Sequence, residues 1–277
     1  MTIAEALRDA ARRLAATSDT ARLDAEVLMA HALGVSRSRL LVSHMGDTPP
    51  AAFAALVSRR EAHEPIAYIC GAQDFYGLAF KVSRDVLIPR GDSEGLVELA
   101  LRRKPAARFV LDCGTGSGAL LLAILANLPD AMGAGIDRSL SALAVARENA
   151  ERLGLAGRAR MLPADWDEPG WTAHLGAPFD LIVANPPYVE AHAALAPSVR
   201  DHEPAGALFA GADGLDAYRA LVPQLPALLA PGGLVLLEIG MTQAHAVSRI
   251  AVAAGFAAAL HHDLAGRPRV LELSMSR

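Results

Sequence analysis

The spacing of apolar residues changes along the chain, and that change divides it. Ile3, Leu7, Ala10, Ala11 and Leu14 fall on one helical face, and Leu23, Val27, Leu28 and Leu33 fall on another that stops at Gly34. Both read as amphipathic helices. A third helix is expected over 51–62, after the break at Pro49-Pro50. From Phe75 to Val82 the pattern alternates, with a turn expected near Ser83-Arg84-Asp85 and a return over 86–89, which reads as a hairpin. Past Pro89, short apolar runs at 108–112, 132–137, 158–163, 179–184 and 234–239 read as strands separated by helices or loops, with a last strand at 270–273. This alternation predicts an α/β domain, an open and mostly parallel sheet with helices on both faces. The expected organisation is a small helical domain at 1–74, a β-hairpin linker at 75–89 and the α/β domain at 90–277.

Ligands of such sheets sit beyond the carboxyl ends of the strands, so the strand ends carry the candidate chemistry. The strand at 109–111 runs into Asp112-Cys113-Gly114-Thr115-Gly116-Ser117-Gly118 and then a helix expected over 119–127. Glycines let a ligand approach the backbone. A dinucleotide fingerprint would need G-x-G-x-x-G and a phosphate loop a terminal Gly-Lys-Ser/Thr, and neither is present. Asp137 ends the next strand, where a carboxylate can accept from both hydroxyls of a ribose. Together the loop and Asp137 imply a nucleoside ligand. Asp165-Trp166, after the third strand, places an acceptor and an indole near the expected base.

The most specific stretch is Asn185-Pro186-Pro187-Tyr188, directly after the apolar run 179–184. By chance these four residues would occur in a chain this long on the order of once in a thousand. An Asn side-chain oxygen and a backbone carbonyl held by proline offer two acceptors to the two hydrogens of a planar NH2. An aromatic ring beside them can cover its flat face. A carboxamide nitrogen is a poor nucleophile because its lone pair is delocalised, and fixing its plane while drawing on both hydrogens raises its electron density. The motif contains no dedicated Asp, Glu or His base.

Composition narrows the classes. The 277 residues are 52% hydrophobic, inflated by alanine, with a formal net charge of −4. The first 75 residues hold eight Arg against nine Asp plus Glu, so no basic footprint favours nucleic acid. No apolar run of about 18 residues suggests a membrane span, and the start lacks the order of a signal peptide. Cys70 and Cys113 form no disulfide framework, which fits a reducing, cytoplasmic setting. His261-His262-Asp263 lacks the i,i+4 spacing of a zinc helix and reads as a surface turn, so no metal is expected. Asp92 to Glu94 read as a helix cap. Arg267 and Arg269 either reach substrate carboxylates or flank the last strand.

Glu238-Ile239-Gly240 with Gln243, the Asn185 to Tyr188 motif and the Asp112 to Gly118 loop resemble class I S-adenosylmethionine-dependent methyltransferases. Glu64 to Gly71, Phe75-Tyr76-Gly77-Leu78, Val86-Leu87-Ile88-Pro89-Arg90 and Asp213 to Arg219 narrow the resemblance to the protein-(glutamine-N5) methyltransferases of peptide-chain release factors, the HemK/PrmC family. Leu23-Asp24-Ala25-Glu26 and Asp263 to Gly266 extend it over nearly the whole chain.

The resemblance implies S-adenosylmethionine as methyl donor and S-adenosylhomocysteine as product. It places cofactor contacts on Gly114, Thr115, Gly116, Ser117, Gly118, Asp137, Trp166 and Asn185. It places the substrate glutamine, from a Gly-Gly-Gln tripeptide, on Asn185, Pro186, Pro187 and Tyr188, with Asn185, Pro186 and Tyr188 catalytic. It implies a release factor as partner, and neither nucleic acid nor membrane. Where the family commonly has Pro-Asp-Thr-Glu after Arg90, this chain has Gly91-Asp92-Ser93-Glu94, which bears on loop rigidity. Three enzymatic alternatives share parts of these features. They are an amino-methyltransferase of a flipped nucleic-acid base, a ribosomal-protein glutamine methyltransferase, and a nicotinamide oxidoreductase, which the glycine spacing opposes. A protein that only binds translation factors is a fourth reading.

Overall fold

The computed structural model describes residues 1–176 and 178–276. The chain forms two compact units, Met1–Ala72 with Leu195–His202, and Gln73–Ala194 with Glu203–Arg277.

The first unit is helical: α1 (Ile3–Leu14), α2 (Ala21–Leu33), α3 (Arg37–Ser43), α4 (Phe53–Glu61) and α5 (Ile66–Cys70). α1 starts at a capping box, where Glu5 N donates to Thr2 Oγ1 and Thr2 N to the Glu5 carboxylate. Its apolar stripe meets Leu28, Met29, Leu40, Phe53 and Val57 in one core. Two buried carboxylates on α2 hold its neighbours. Asp24 accepts from Arg60 Nε of α4 at 2.7 Å, and Glu26 from Arg22 at 2.6 Å and Arg37 at 2.7 Å. Asp24–Arg60 is largely buried on both sides, where removing one partner typically costs about 3–5 kcal/mol, while Arg22 and Arg37 are half exposed and contribute less. α3 and α5 were not expected from the apolar spacing, being too short to show a period. The returning segment carries a further short helix, α9 (Pro197–Arg200).

The second unit opens with a hairpin, β1 (Ala72–Phe75) and β2 (Leu78–Lys81). Its turn is at Tyr76-Gly77, both with positive φ, the backbone of a two-residue hairpin turn. This corrects the turn expected at 83–85, because the alternating run that reads as one strand is cut by Gly77 into two. Residues 82–89 form no strand, although Val82, Val86 and Ile88 are buried.

Seven strands form the main sheet in the order β5-β4-β3-β6-β7-β9-β8. They are β3 (Phe109–Cys113), β4 (Met132–Asp137), β5 (Ala159–Pro163), β6 (Phe179–Ala184), β7 (Leu229–Glu238), β8 (Phe256–His262) and β9 (Pro268–Met275). β5 through β7 are parallel, while β9 runs antiparallel to both β7 and β8. Alternate residues feed two cores. Leu181, Val183, Leu234 and Leu236 pack with α6 (Glu94–Arg103), α7 (Ala119–Asn127) and α8 (Leu140–Arg152). Ile182, Ala184, Val235 and Leu237 pack on the other face with α10 (Asp216–Leu221) and α11 (Ala244–Ala253). Strands buried on both faces explain the unbroken apolar runs.

The order reverses between β3 and β6, which places the ligand crevice at their carboxyl ends. His261 and His262 are not in a surface turn. They end β8, paired with β9, and His261 Nε2 lies 3.0 Å from the Glu272 carboxylate. Among the described residues no helix is long and apolar enough to cross a membrane.

Candidate active site

The loop after β3 is shaped by its neighbours. Gly114 N and Thr115 N donate to the Ile136 carbonyl at 2.9 and 2.8 Å, folding the loop over the end of β4. Gly114 has φ +76°, and a Cβ there would stand 3.3 Å from Trp166 Cη2. Only glycine allows both that backbone and that close an indole. Below, Asp112 is buried, and Thr115 Oγ1 donates to its Oδ2 at 2.7 Å. Its other oxygen has no partner among the described residues, and burial pushes its pKa up to about 7.

Asp137, at the end of β4, accepts from Gly116 N at 3.0 Å and from Ser139 N at 2.9 Å, one bond to each oxygen. Each oxygen retains a lone pair. Trp166 is held through Gln224, whose Nε2 donates to the Trp166 carbonyl at 2.9 Å while its Oε1 accepts from Trp171 Nε1 at 2.6 Å.

These groups line one cavity of about 370 Å³, a size suited to a nucleoside-bearing ligand. Gly114, Thr115, Gly116, Ser117, Asp137, Trp166, Asn185 and Pro187 line it; Gly118, Pro186 and Tyr188 do not. Gly118 caps α7, and a Cβ there would meet Leu122 at 3.0 Å, so its requirement for glycine is one of backbone and packing.

Asn185 follows the last residue of β6. Its Nδ2 lies 3.5 Å from Ser93 Oγ, which donates to Glu238 Oε2 at 2.5 Å. No described residue donates to Asn185 Oδ1 or to the Pro186 carbonyl. Tyr188 is anchored from behind. Gln243 Nε2 donates to the carbonyls of Tyr188 at 3.0 Å and Gly214 at 3.1 Å, and Gln243 Oε1 accepts from Gly240 N at 3.0 Å. Gly214, with φ +69°, comes so near that a Cβ would lie 2.3 Å from the Tyr188 carbonyl oxygen. Burial, reinforced by the Glu238 carboxylate, pushes the Tyr188 phenol up to about 12, so it stays protonated at neutral pH.

The cap expected at Asp92 to Glu94 is not formed by these side chains. Ser93 makes no capping bond and turns to Glu238, Glu94 accepts from Tyr76 N at 2.8 Å, and Asp92 meets Arg269 at 2.9 Å. Arg267, just before β9, is held by Asp263 at 2.8 Å, so it and Arg269, inside β9, both have acidic partners within the chain. Arg90 bonds the buried Glu203 at 2.5 Å. Among the described residues no group of three or more His, Cys, Asp and Glu gathers in a way that could hold a metal ion. Sequence reading missed Ser93 and Gln224. Their contacts cross 145 residues, to Glu238, and 53 residues, to Trp171, and no local spacing encodes such pairs.

Two family models match the chain: the PrmC N-terminal domain over residues 5–71 and the methyltransferase small domain over residues 93–201. A release factor glutamine methyltransferase of Cereibacter sphaeroides is 45% identical over 278 residues, covering 98% of each chain. That of Moorella thermoacetica is 46% identical over 263 residues, covering 92% of this chain and 91% of its own. Among solved structures, a ribosomal protein L11 methylase from Lactobacillus delbrueckii subsp. bulgaricus superposes with TM-score 0.52 at 22% identity, covering 71% of this chain and 84% of its own. A methyltransferase from Pyrococcus furiosus superposes with TM-score 0.52 at 17% identity, covering 79% and 96%. At such identities these two structures speak to the fold alone.

Proposed function

Because the chain belongs to the release factor glutamine methyltransferase family, we propose that it methylates the side-chain amide nitrogen of the Gly-Gly-Gln glutamine in a peptide-chain release factor. It is an S-adenosylmethionine-dependent methyltransferase with the class I fold. The observation that carries the substrate assignment is the pair of undonated acceptors, Asn185 Oδ1 and the Pro186 carbonyl, next to a cavity of cofactor size.

The residues present fit S-adenosylmethionine. The Gly114 backbone opens beside Trp166, Asp137 has lone pairs for a ribose, and Trp166 offers a flat face for adenine. The cofactor supplies an electrophilic methyl group on a sulfonium. Gly114 to Ser117, Asp137 and Trp166 hold it, and Asn185 lies where the cavity meets the acceptor pair. Asn185 Oδ1 and the Pro186 carbonyl each accept one N–H of the substrate amide. They fix its plane and draw electron density toward nitrogen as charge develops there. Pro187 stiffens the turn, and the Tyr188 ring covers the amide face. The substrate nitrogen, on gaining the methyl group, gives up one N–H proton to solvent water, and no side chain is assigned as general base. The reading has no step through a metal.

Recognition of the release factor is assigned to the helical unit. One glutamine side chain presents too little surface to single out a protein, and selectivity needs a larger interface. The reaction belongs in the cytoplasm, where translation ends, and the near-neutral helical unit suits a protein partner better than nucleic acid. The assignment is tested by Asn185→Ala. Turnover should fall about 10²–10³-fold, by comparison with loss of one oxyanion-hole donor, while calorimetry shows a much smaller loss of cofactor affinity. Near-normal methyl transfer by this variant would return the motif to a structural turn.

A further inference from the structure

A buried pair stands behind Asn185 that the acceptor reading does not use. β6 and β7 are parallel neighbours with Ala184 opposite Leu237, so the next residues, Asn185 and Glu238, leave the sheet side by side. Both continue the alternation of Val183 and Leu236, whose side chains face the core containing α6. Ser93 immediately precedes α6 on that face. Topology thus brings together three residues distant in sequence.

The order of donation in this cluster follows from its chemistry. Ser93 has one hydroxyl hydrogen, and at 2.5 Å it is given to Glu238 Oε2. Toward Asn185, 3.5 Å away, the same oxygen can then only accept, so the Asn185 NH2 faces Ser93. The Glu238 carboxyl, buried at 1% exposure, takes the Ser93 hydroxyl hydrogen, and burial pushes its pKa up. With the NH2 turned to Ser93, Oδ1 is the atom left for a ligand. Were the amide reversed, a donor NH2 would oppose the donor NH2 of the substrate.

We propose that Ser93 and Glu238 are positioning residues for methyl transfer, Glu238 holding the Ser93 hydroxyl and Ser93 fixing the Asn185 amide with its oxygen toward the substrate nitrogen. This rests on the reading of Asn185 as the substrate acceptor. Neither residue touches the reacting atoms in this account; both act through Asn185. Ser93 makes no capping bond to α6, so its hydroxyl can be removed without removing a helix cap.

The test measures kcat, KM for a release factor, cofactor Kd and melting temperature for Ser93→Ala, Ser93→Thr, Glu238→Gln, Asn185→Ala and the Ser93→Ala/Asn185→Ala double variant. Ser93→Ala should lower kcat about tenfold or more, with KM and cofactor Kd within about twofold. Ser93→Thr, which returns the hydroxyl, should recover most of the rate. Glu238→Gln, which keeps the shape but lets an amide compete as donor, should also lower kcat. In the Asn185→Ala background, Ser93→Ala should cost less than about twofold, because coupled residues are not additive.

If Asn185→Ala is crippled but Ser93→Ala keeps its kcat, the acceptor reading stands and the positioning proposal is overturned. An undiminished cost of Ser93→Ala in the Asn185→Ala background overturns it too. If Asn185→Ala itself remains active, the acceptor reading fails and this proposal falls with it. Should Ser93→Ala not fold, Glu238→Gln and Ser93→Thr decide: unchanged kcat in Glu238→Gln, or no activity in a folded Ser93→Thr, counts against the proposal.

Discussion

Replacing Asp137 with Ala tests the cofactor end of the site. Its carboxylate holds Gly116 N at 3.0 Å and Ser139 N at 2.9 Å, so it orders the glycine loop and the start of α8 while presenting its remaining lone pairs to a ribose. Hydrogen bonds to a charged group contribute roughly 1.5–3 kcal/mol each, so losing two to the ribose costs about 3–6 kcal/mol. That is roughly a 10²–10⁴-fold rise in cofactor Kd. Asp137→Asn keeps one accepting oxygen and should lose about half that free energy. Isothermal calorimetry with S-adenosylhomocysteine measures both, with circular dichroism confirming the fold. A 2′,3′-dideoxy analogue separates ribose binding from loop ordering. It should bind weakly to the wild type, and Asp137→Ala should weaken it little further, since the bonds at stake are already gone. Unchanged affinity for the natural ligand in folded Asp137→Ala would refute the assignment. An equal loss for both ligands would reduce Asp137 to a loop-ordering residue.

Two further outcomes follow from the buried carboxylate and from the division of the chain. Burial raises the Asp112 pKa from 3.8 to about 7, so between those values the folded state keeps a proton that the unfolded state has lost. The group's contribution to stability is therefore present at low pH and disappears as pH rises through about 7, by at most roughly 4 kcal/mol. Asp112→Asn should gain melting temperature relative to wild type from about pH 4 to 7 and level off above it, and a difference independent of pH would contradict it. Deleting residues 1–72 should leave cofactor affinity largely intact in a folded truncation and abolish efficient methylation of the intact release factor. Full catalytic efficiency in that truncation would place recognition elsewhere.

Much of the α/β unit could be read from sequence because its strands are buried on both faces. The runs at 132–137 and 179–184 coincide with β4 and β6, and the helix at 119–127 with α7. Gly114 to Ser117, Asp137, Trp166 and Asn185 come to one cavity because each ends or follows a parallel strand, where this topology gathers its loops. The hairpin turns at Tyr76-Gly77 and not at 83–85: Gly77 allows the turn, but Tyr76 takes φ +50°, a conformation aromatic side chains rarely adopt, so the alternating run reads as unbroken. Helices of seven and five residues, α3 and α5, are set by the core around Leu40 and Ile69 more than by their own period. Arg267 meets Asp263 four residues away across the β8–β9 turn, whereas the ion pair of Arg269 with Asp92 and the contact of Ser93 with Glu238 are tertiary. They depend on β9 lying beside β7 and on α6 crossing the strand ends, neither of which has a local signature.

The central claim is that this chain transfers a methyl group to one glutamine amide of a release factor. Its most direct test incubates the purified protein and radiolabelled S-adenosylmethionine with a release factor, with its Gly-Gly-Gln Gln→Ala variant, and with RNA and DNA, and locates the label by peptide mass spectrometry. The account predicts stoichiometric label on that glutamine, none on the Gln→Ala factor and none on nucleic acid. Label on nucleic acid, on another residue of the factor, or undiminished on the Gln→Ala factor would contradict it.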